Sequence, residues 1–210
     1  MEGLRFLFRK FFYRPNPIAY LRSMVMSKKL IFNAELLAIS IDRLCFQLIE
    51  SHGDFKDTVL VGLQPRGIHL AQRIRARLTE LIPGVNLHCG DLDVSFFRDD
   101  FRRRELIVPN ATRMDFIVED KKVVMIDDVL YTGRTIRAGF DALLAFGRPS
   151  KVELLVLINR KFSRQFPIEP DYIGKSIDTI STEKVRVHWH QTDGEEADGV
   201  WLLTDDEQHG

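Results

Sequence analysis

Asp127 and Asp128 stand side by side at the end of an apolar run, Val123 to Ile126. Val129, Leu130, Tyr131, Thr132, Gly133, Arg134 and Thr135 follow them. The apolar residues read as a buried strand, the two acids close it, and a short polar loop leads into a helix. That loop offers backbone N–H groups and two threonine hydroxyls at a helix N-terminus, an arrangement that binds anions. Carboxylates beside such a cradle suit a sugar phosphate: they accept from ribose hydroxyls while amides hold the phosphate. Two acids in a turn after a strand can also simply cap a helix. It is the whole run, in order, that carries the sugar-phosphate reading. No Gly-x-Gly-x-x-Gly follows a strand and no Gly-x-x-x-x-Gly-Lys-Ser/Thr occurs, so dinucleotide and P-loop signatures are missing.

The elements that must position these groups alternate. Asn33 caps a helix with Leu37, Ile41, Leu44 and Leu48 at helical spacing and Gly53 just beyond its end. Thr58 to Leu63 reads as a buried strand, Gln64 to Gly67 as a turn, and Ile68 to about Leu81 as an amphipathic helix. Val85 to Phe97 alternates as a strand, and Arg98 to Asp120 is a long charged connection. After the strand that ends in the acids comes a helix from about Thr135 to Phe146, stopped by Gly147. Lys151 to Asn159 is a further strand, and Tyr172 to Leu203 reads as short strands with a polar turn at Asp193 to Gly199. Such alternation predicts an α/β fold: a mostly parallel sheet flanked by helices, with ligands at the carboxyl ends of its strands. That rim holds Gln64–Gly67, Asp127–Thr135 and the residues after Ile158.

The chain has 210 residues, enough for one domain with its own core, and 30 basic residues balance 30 acidic ones. No global field drives nucleic-acid or membrane binding, so any basic surface is local. No apolar run is long enough to span a membrane. Cys45 and Cys89 read as two free thiols in a reducing cytoplasm. Residues 1–29 carry seven basic residues and one acid, and they are expected to be disordered or to follow a mis-assigned start, with Met24 and Met26 as alternatives. The folded domain is expected over residues 30–205, with 206–210 as a tail. His188 and His190 alternate on one strand face. Two of the usual three or four metal ligands make a half-exposed strand the better reading.

Further segments narrow the family. Pro65-Arg66-Gly67, the run Gly90 to Asp100, Gly147 to Ser150 and Pro170 to Lys175 join the Val123–Thr135 run. Together they resemble the type I phosphoribosyltransferases, and within them the bifunctional pyrimidine-operon regulators. Those proteins bind RNA as attenuators and are also uracil phosphoribosyltransferases. The resemblance runs from about Leu30 to Leu203. It implies the type I phosphoribosyltransferase fold with a flexible lid loop and a small C-terminal β hood. It also implies uracil and phosphoribosyl pyrophosphate as substrates, UMP and pyrophosphate as products, and Mg2+ held by substrate and water rather than by a dedicated protein cage. By the same resemblance Asp127, Asp128 and Arg66 carry catalysis. Val129 to Thr135 complete the ribose-phosphate loop, and Pro65, Arg66 and Gly67 form the pyrophosphate loop. Arg98, Arg102, Arg103 and Arg104 belong to the lid, while Arg160 and Val185 meet base or substrate. Leader mRNA would be contacted by Arg43, Arg164 and Lys175, and a homo-oligomer is implied. Four positions depart from the family pattern: Asn159 stands where aspartate is usual, Asp42 for threonine, Phe46 for histidine and Glu169 for arginine. The added acids oppose phosphate binding, so the resemblance supports catalysis more firmly than RNA regulation.

Overall fold

The structure, a computed structural model, describes residues 26–99, 110–180, 182–194 and 196–205. Five strands form a parallel sheet: β2 (Thr58–Leu63), β3 (His88–Leu92), β4 (Lys122–Leu130), β5 (Lys151–Lys161) and β6 (Tyr172–Asp178), in the order β3-β2-β4-β5-β6. Alternation along each strand splits the core in two. Val124 and Ile126 join the face covered by α1 (Ala34–His52) and α2 (Gly67–Leu81), while Val123 and Met125 join the face covered by α3 (Arg134–Leu143). The order of β2 and β4 about the sheet centre puts their carboxyl ends side by side. There α2 and α3 begin, and there the expected chemistry lies.

A second, antiparallel sheet forms the hood: β1 (Met26–Phe32), β8 (Gly199–Asp205) and β7 (Glu183–His188), with the single turn α4 (His190–Asp193) between the last two. Two expectations change here. The domain boundary placed at residue 30 falls inside β1, whose Met26 pairs with Asp205; residues 1–25 and 206–210 lie outside the described residues. The hood is therefore built from both ends of the described residues. Tyr172 to Asp178, read with the short strands of the C-terminal stretch, instead pairs with β5 as an edge of the main sheet.

Local signals explain the ends. The Asn33 side chain accepts from Leu36 N–H at 2.9 Å, and Gly53 closes the helix with φ +58°. The strand expected over Val85–Phe97 is shorter, His88–Leu92, followed by a 3-10 turn at Ser95–Phe97. Asp93 causes the break: its carboxylate takes the Ser95 N–H at 3.0 Å and hydroxyl at 2.6 Å, a local alternative to the ladder. The helix expected to reach Phe146 is α-helical only to Leu143, then tightens to a 3-10 turn.

At the amino ends of the strands lies a buried polar cluster. His52 Nε2 lies 2.9 Å from Glu153 Oε2, and His52 Nδ1 lies 3.1 Å from the Thr58 hydroxyl. Tyr172 donates its hydroxyl to the same Glu153 oxygen at 3.1 Å, and Lys151 reaches the other. Burial holds His52 below its ordinary value, so its partners select the neutral form with the proton on Nε2.

Candidate active site

Arg66 leaves β2 through a turn entered by a cis Gln64–Pro65 bond. Gly67, which opens α2, has no room for a side chain: a Cβ would lie 2.3 Å from the Ile126 carbonyl oxygen and 3.0 Å from Asp127 Cα. Only glycine lets the first turn of α2 lie against the end of β4. That contact sets Arg66 beside the acids. Its Nε is 3.1 Å from Asp128 Oδ2, and its two terminal nitrogens grip Asp193 of the hood at 3.1 and 2.9 Å. It also donates to the Val187 carbonyl.

Asp127 and Asp128 are both buried. Asp127 Oδ1 accepts the Asp128 N–H at 2.9 Å. Burial, then the neighbouring Asp128 charge, pushes Asp127 well above the ordinary carboxylate range. Burial also raises Asp128, with Arg66 pulling against it. Arg66 is in turn held more firmly protonated, by Asp193 above all. Of the two buried carboxylates, Asp128 lines a cavity of about 450 Å³, while Asp127 accepts its backbone N–H. Arg66, Asp128 and Val129 line one side; Val185, His188 and Asp193 of the hood line the other.

The phosphate cradle follows. Gly133, at φ +87°, precedes α3, and the Thr132 hydroxyl accepts from Arg134 N–H at 3.4 Å. A segment that sequence reasoning missed braces this loop. Gln165 and Phe166 donate their backbone N–H groups to the Thr132 carbonyl at 2.9 and 3.2 Å. Arg164 donates to the carbonyls of Leu130 at 3.2 Å, Arg160 at 3.2 Å and Ile168 at 3.1 Å, to that of Tyr131, and to Asn159 Oδ1. Arg134 pairs with Asp99 and donates to Gln165 Oε1 at 2.6 Å, while Arg98 donates to the Thr135 hydroxyl at 3.1 Å. The root of the expected lid therefore touches the cradle. Its two ends are joined by the Asp91–Arg113 bridge, and Gln64 donates to the Ala111 carbonyl at 2.8 Å. Arg102, Arg103 and Arg104 lie outside the described residues.

Other expected site residues are placed differently. Arg160 is buried, stacks 3.9 Å over Tyr131 and donates to the Thr179 hydroxyl at 2.8 Å and to the Ile180 and Glu183 carbonyls. It ties the loop to the hood, with its guanidinium directed to protein acceptors. Arg43 donates to the Ile173 carbonyl at 3.1 Å and to that of Gly174, and Lys175 sits 5.2 Å over the Phe32 ring. Val185 and His188 line the cavity, whereas His190 is exposed and opens α4 beyond the end of β7, so the two histidines do not share the strand face expected of them. Among the described residues, no three His, Cys, Asp or Glu side chains converge as a metal site. Asp193 was missed outright: Asp-Gly read as turn chemistry, and nothing local ties it to Arg66, 127 residues away.

The arrangement has recognisable relatives. The family described as phosphoribosyl transferase domain matches residues 27–192. The chain belongs to that family. It is 40% identical over 173 residues to the bifunctional protein PyrR of Microcystis aeruginosa, covering 82% of this chain and 96% of that one. It is 38% identical to the PyrR of Deinococcus deserti, covering 87% and 99%. It is thus a PyrR-like type I phosphoribosyltransferase. The phosphoribosyltransferase fold extends further: a hypoxanthine phosphoribosyltransferase of Trypanosoma cruzi superposes with TM-score 0.63 at 15% identity, covering 85% of this chain and 97% of that one. A Staphylococcus aureus hypoxanthine phosphoribosyltransferase superposes at 0.62 with 19% identity, covering 85% and 93%. No described helix is long and apolar enough to cross a membrane.

Proposed function

We propose that this phosphoribosyltransferase moves ribose 5-phosphate from phosphoribosyl pyrophosphate to uracil, giving UMP and pyrophosphate. The observation that carries the reading is the buried Asp127–Asp128 pair, with Arg66 bonded to Asp128 at the edge of a cavity and the Thr132–Thr135 cradle following in the chain. The bond from C1 of the ribose to pyrophosphate breaks, one to a uracil nitrogen forms, and the proton of that nitrogen leaves. Positive charge develops on the sugar and negative charge on the departing group, so positioned electrostatics does most of the catalytic work. Asp127 and Asp128 face the ribose hydroxyls and the developing cation, Arg66 the leaving group, and the Thr132–Thr135 amides and hydroxyls the 5′-phosphate. Magnesium held by the substrate and water would supply charge neutralisation on the pyrophosphate. Val185 and the backbone of β7 form the wall against the base. Cys45 and Cys89 are free thiols, which fits a cytoplasmic enzyme, and we expect a homo-oligomer as in the family.

One assay tests it: turnover of magnesium phosphoribosyl pyrophosphate with uracil, hypoxanthine and orotate in parallel. UMP formation alone is expected. Turnover of hypoxanthine or orotate without uracil would replace the base.

A second reading, UMP-dependent binding of leader RNA, is favoured by the bifunctional relatives. The charge on the face in question is modest. Arg43 and Arg164 are committed to carbonyls, and Asp42 pairs with Arg77 at 2.7 Å. We propose a weak RNA grip at most, tested by leader-RNA retention with and without UMP across a salt series.

A further inference from the structure

Asp193 is oriented before any ligand arrives. It closes the single turn α4, and its Oδ2 accepts the Trp189 N–H at 2.8 Å while its own N–H bonds the Trp189 carbonyl at 2.8 Å. Trp189 is fully buried and covered by Arg73 of α2 at 4.1 Å, and Arg73 also pairs with Asp198 at 3.2 Å. The carboxylate so held meets Arg66 end-on through two N–H bonds from its terminal nitrogens, a bidentate geometry in which guanidinium groups also take phosphate oxygens. With Asp128 on Nε and Val187 on the same terminal nitrogen as Asp193, four of the five guanidinium N–H groups meet protein acceptors. An entering pyrophosphate cannot reach that guanidinium edge while Asp193 holds it.

We propose that Asp193 is a positioning residue that stands in for pyrophosphate on Arg66, displaced when the diphosphate enters and returning as it leaves. The inference rests on Arg66 being the pyrophosphate arginine of the proposed reaction. Its consequence is a lowered affinity for the diphosphate end of substrate and product. Asp193 keeps Arg66 compensated between turnovers, and its recapture of Arg66 assists release, a step that often limits turnover. The pair also holds Asp193 down to about 2, so it competes as a full anion at every working pH.

The test titrates inorganic pyrophosphate, with and without magnesium and at fixed ionic strength, by calorimetry. It compares the native protein with Asp193→Asn, Arg66→Ala and the double variant. Asparagine keeps an oxygen for Trp189 N–H and removes the charge; Asp193→Ser carries the same prediction should the first variant not fold. Asp193→Asn is expected to bind pyrophosphate about fivefold tighter or more, the low end of ordinary coupling. The gain should vanish in the Arg66→Ala background. In turnover, KM for phosphoribosyl pyrophosphate should fall while KM for the base stays. Unchanged or weaker binding, a gain that persists without Arg66, or no binding by the native protein would overturn the proposal. So would a loss seen only with magnesium, which would put Asp193 on the metal side. The calorimetry needs no base, so a failed uracil assay with tightened pyrophosphate would sink the function while leaving this inference standing.

Discussion

The two ends of the parallel sheet each bury a cluster of charged groups, and they are built on opposite terms. At the amino ends, Glu153 is surrounded by His52, Tyr172 and Lys151, every contact a donor to its carboxylate. Those donors, together with the positive neighbours, outweigh burial and hold Glu153 below the ordinary carboxylate range. At the carboxyl ends, Asp127 and Asp128 are buried against each other, with one guanidinium between two acids and the hood. There burial wins and both are raised. The same fold thus holds a cluster of donors around one carboxylate, which ties α1 to the sheet, and a cluster in which two buried carboxylates crowd each other beside one guanidinium. Sites kept at such a cost are where function is expected.

The sharpest way to break the comparison is to remove charge at the carboxyl end. Asp128→Asn should lower kcat/KM for phosphoribosyl pyrophosphate by about 100-fold or more, as for loss of one preorganised electrostatic group. Asp127→Asn should also lower it and should stabilise the fold by about 1 kcal/mol, since the buried like-charge contact is gone. Steady-state kinetics and urea unfolding on the same preparations decide it. A Tm that falls with activity would mean that the pair is structural.

The converse substitution is Glu153→Ala. It strips His52, Tyr172 and Lys151 of one acceptor at once and should cost about 2–3 kcal/mol of unfolding free energy, with kcat/KM per folded molecule unchanged. Lost activity at full folding would join the two ends and refute the division.

Much of this was legible because it is local. The Val123–Thr135 run carries strand, acids, cradle and helix start within one stretch, and the Asn33 cap and Gly53 stop are read from neighbours in sequence. What stayed hidden depends on distant partners. Asp193 becomes meaningful only when the hood folds over Arg66, and Arg164 only when the residues after β5 fold back on Leu130 and Tyr131. Glu153 sits inside an apolar strand and gives no sign of His52, about 100 residues before it, or of Tyr172, 19 residues after it. Met26 to Lys29, basic and set beside Pro-containing residues, read as extension because the strand that pairs with them is at the other end of the chain.

pH sharpens the contrast with a smaller effect. A raised acid pair binds more protons folded than unfolded, so its contribution is present below the unfolded carboxylate range and is lost as pH rises through the folded values. Glu153 and His52 are both lowered, so their contribution is present above their unfolded values and is lost as pH falls. Between about pH 4 and 7 the two ends therefore slope in opposite directions. Unfolding free energies of Asp127→Asn and Glu153→Gln relative to the native protein should show it. The gain from the first grows with rising pH, and the loss from the second shrinks with falling pH. Parallel slopes would put the same electrostatics at both ends.

The smallest effect is the most discriminating about cause. Lys151 makes the shortest contact to Glu153, yet its side chain is 58% exposed, against 1% for His52. If charge pairing as such stabilised the amino-end cluster, Lys151→Met would be as damaging as Glu153→Ala. If burial decides, Glu153 loses only a solvent-exposed ammonium from Oε1, and Oε2 keeps His52 and Tyr172. The Lys151→Met variant should then melt within error of the native protein, while His52→Leu, which takes a buried partner from Oε2, should not. An equal loss from both would show that the outer ion pair, rather than enclosure, separates this cluster from Asp127 and Asp128.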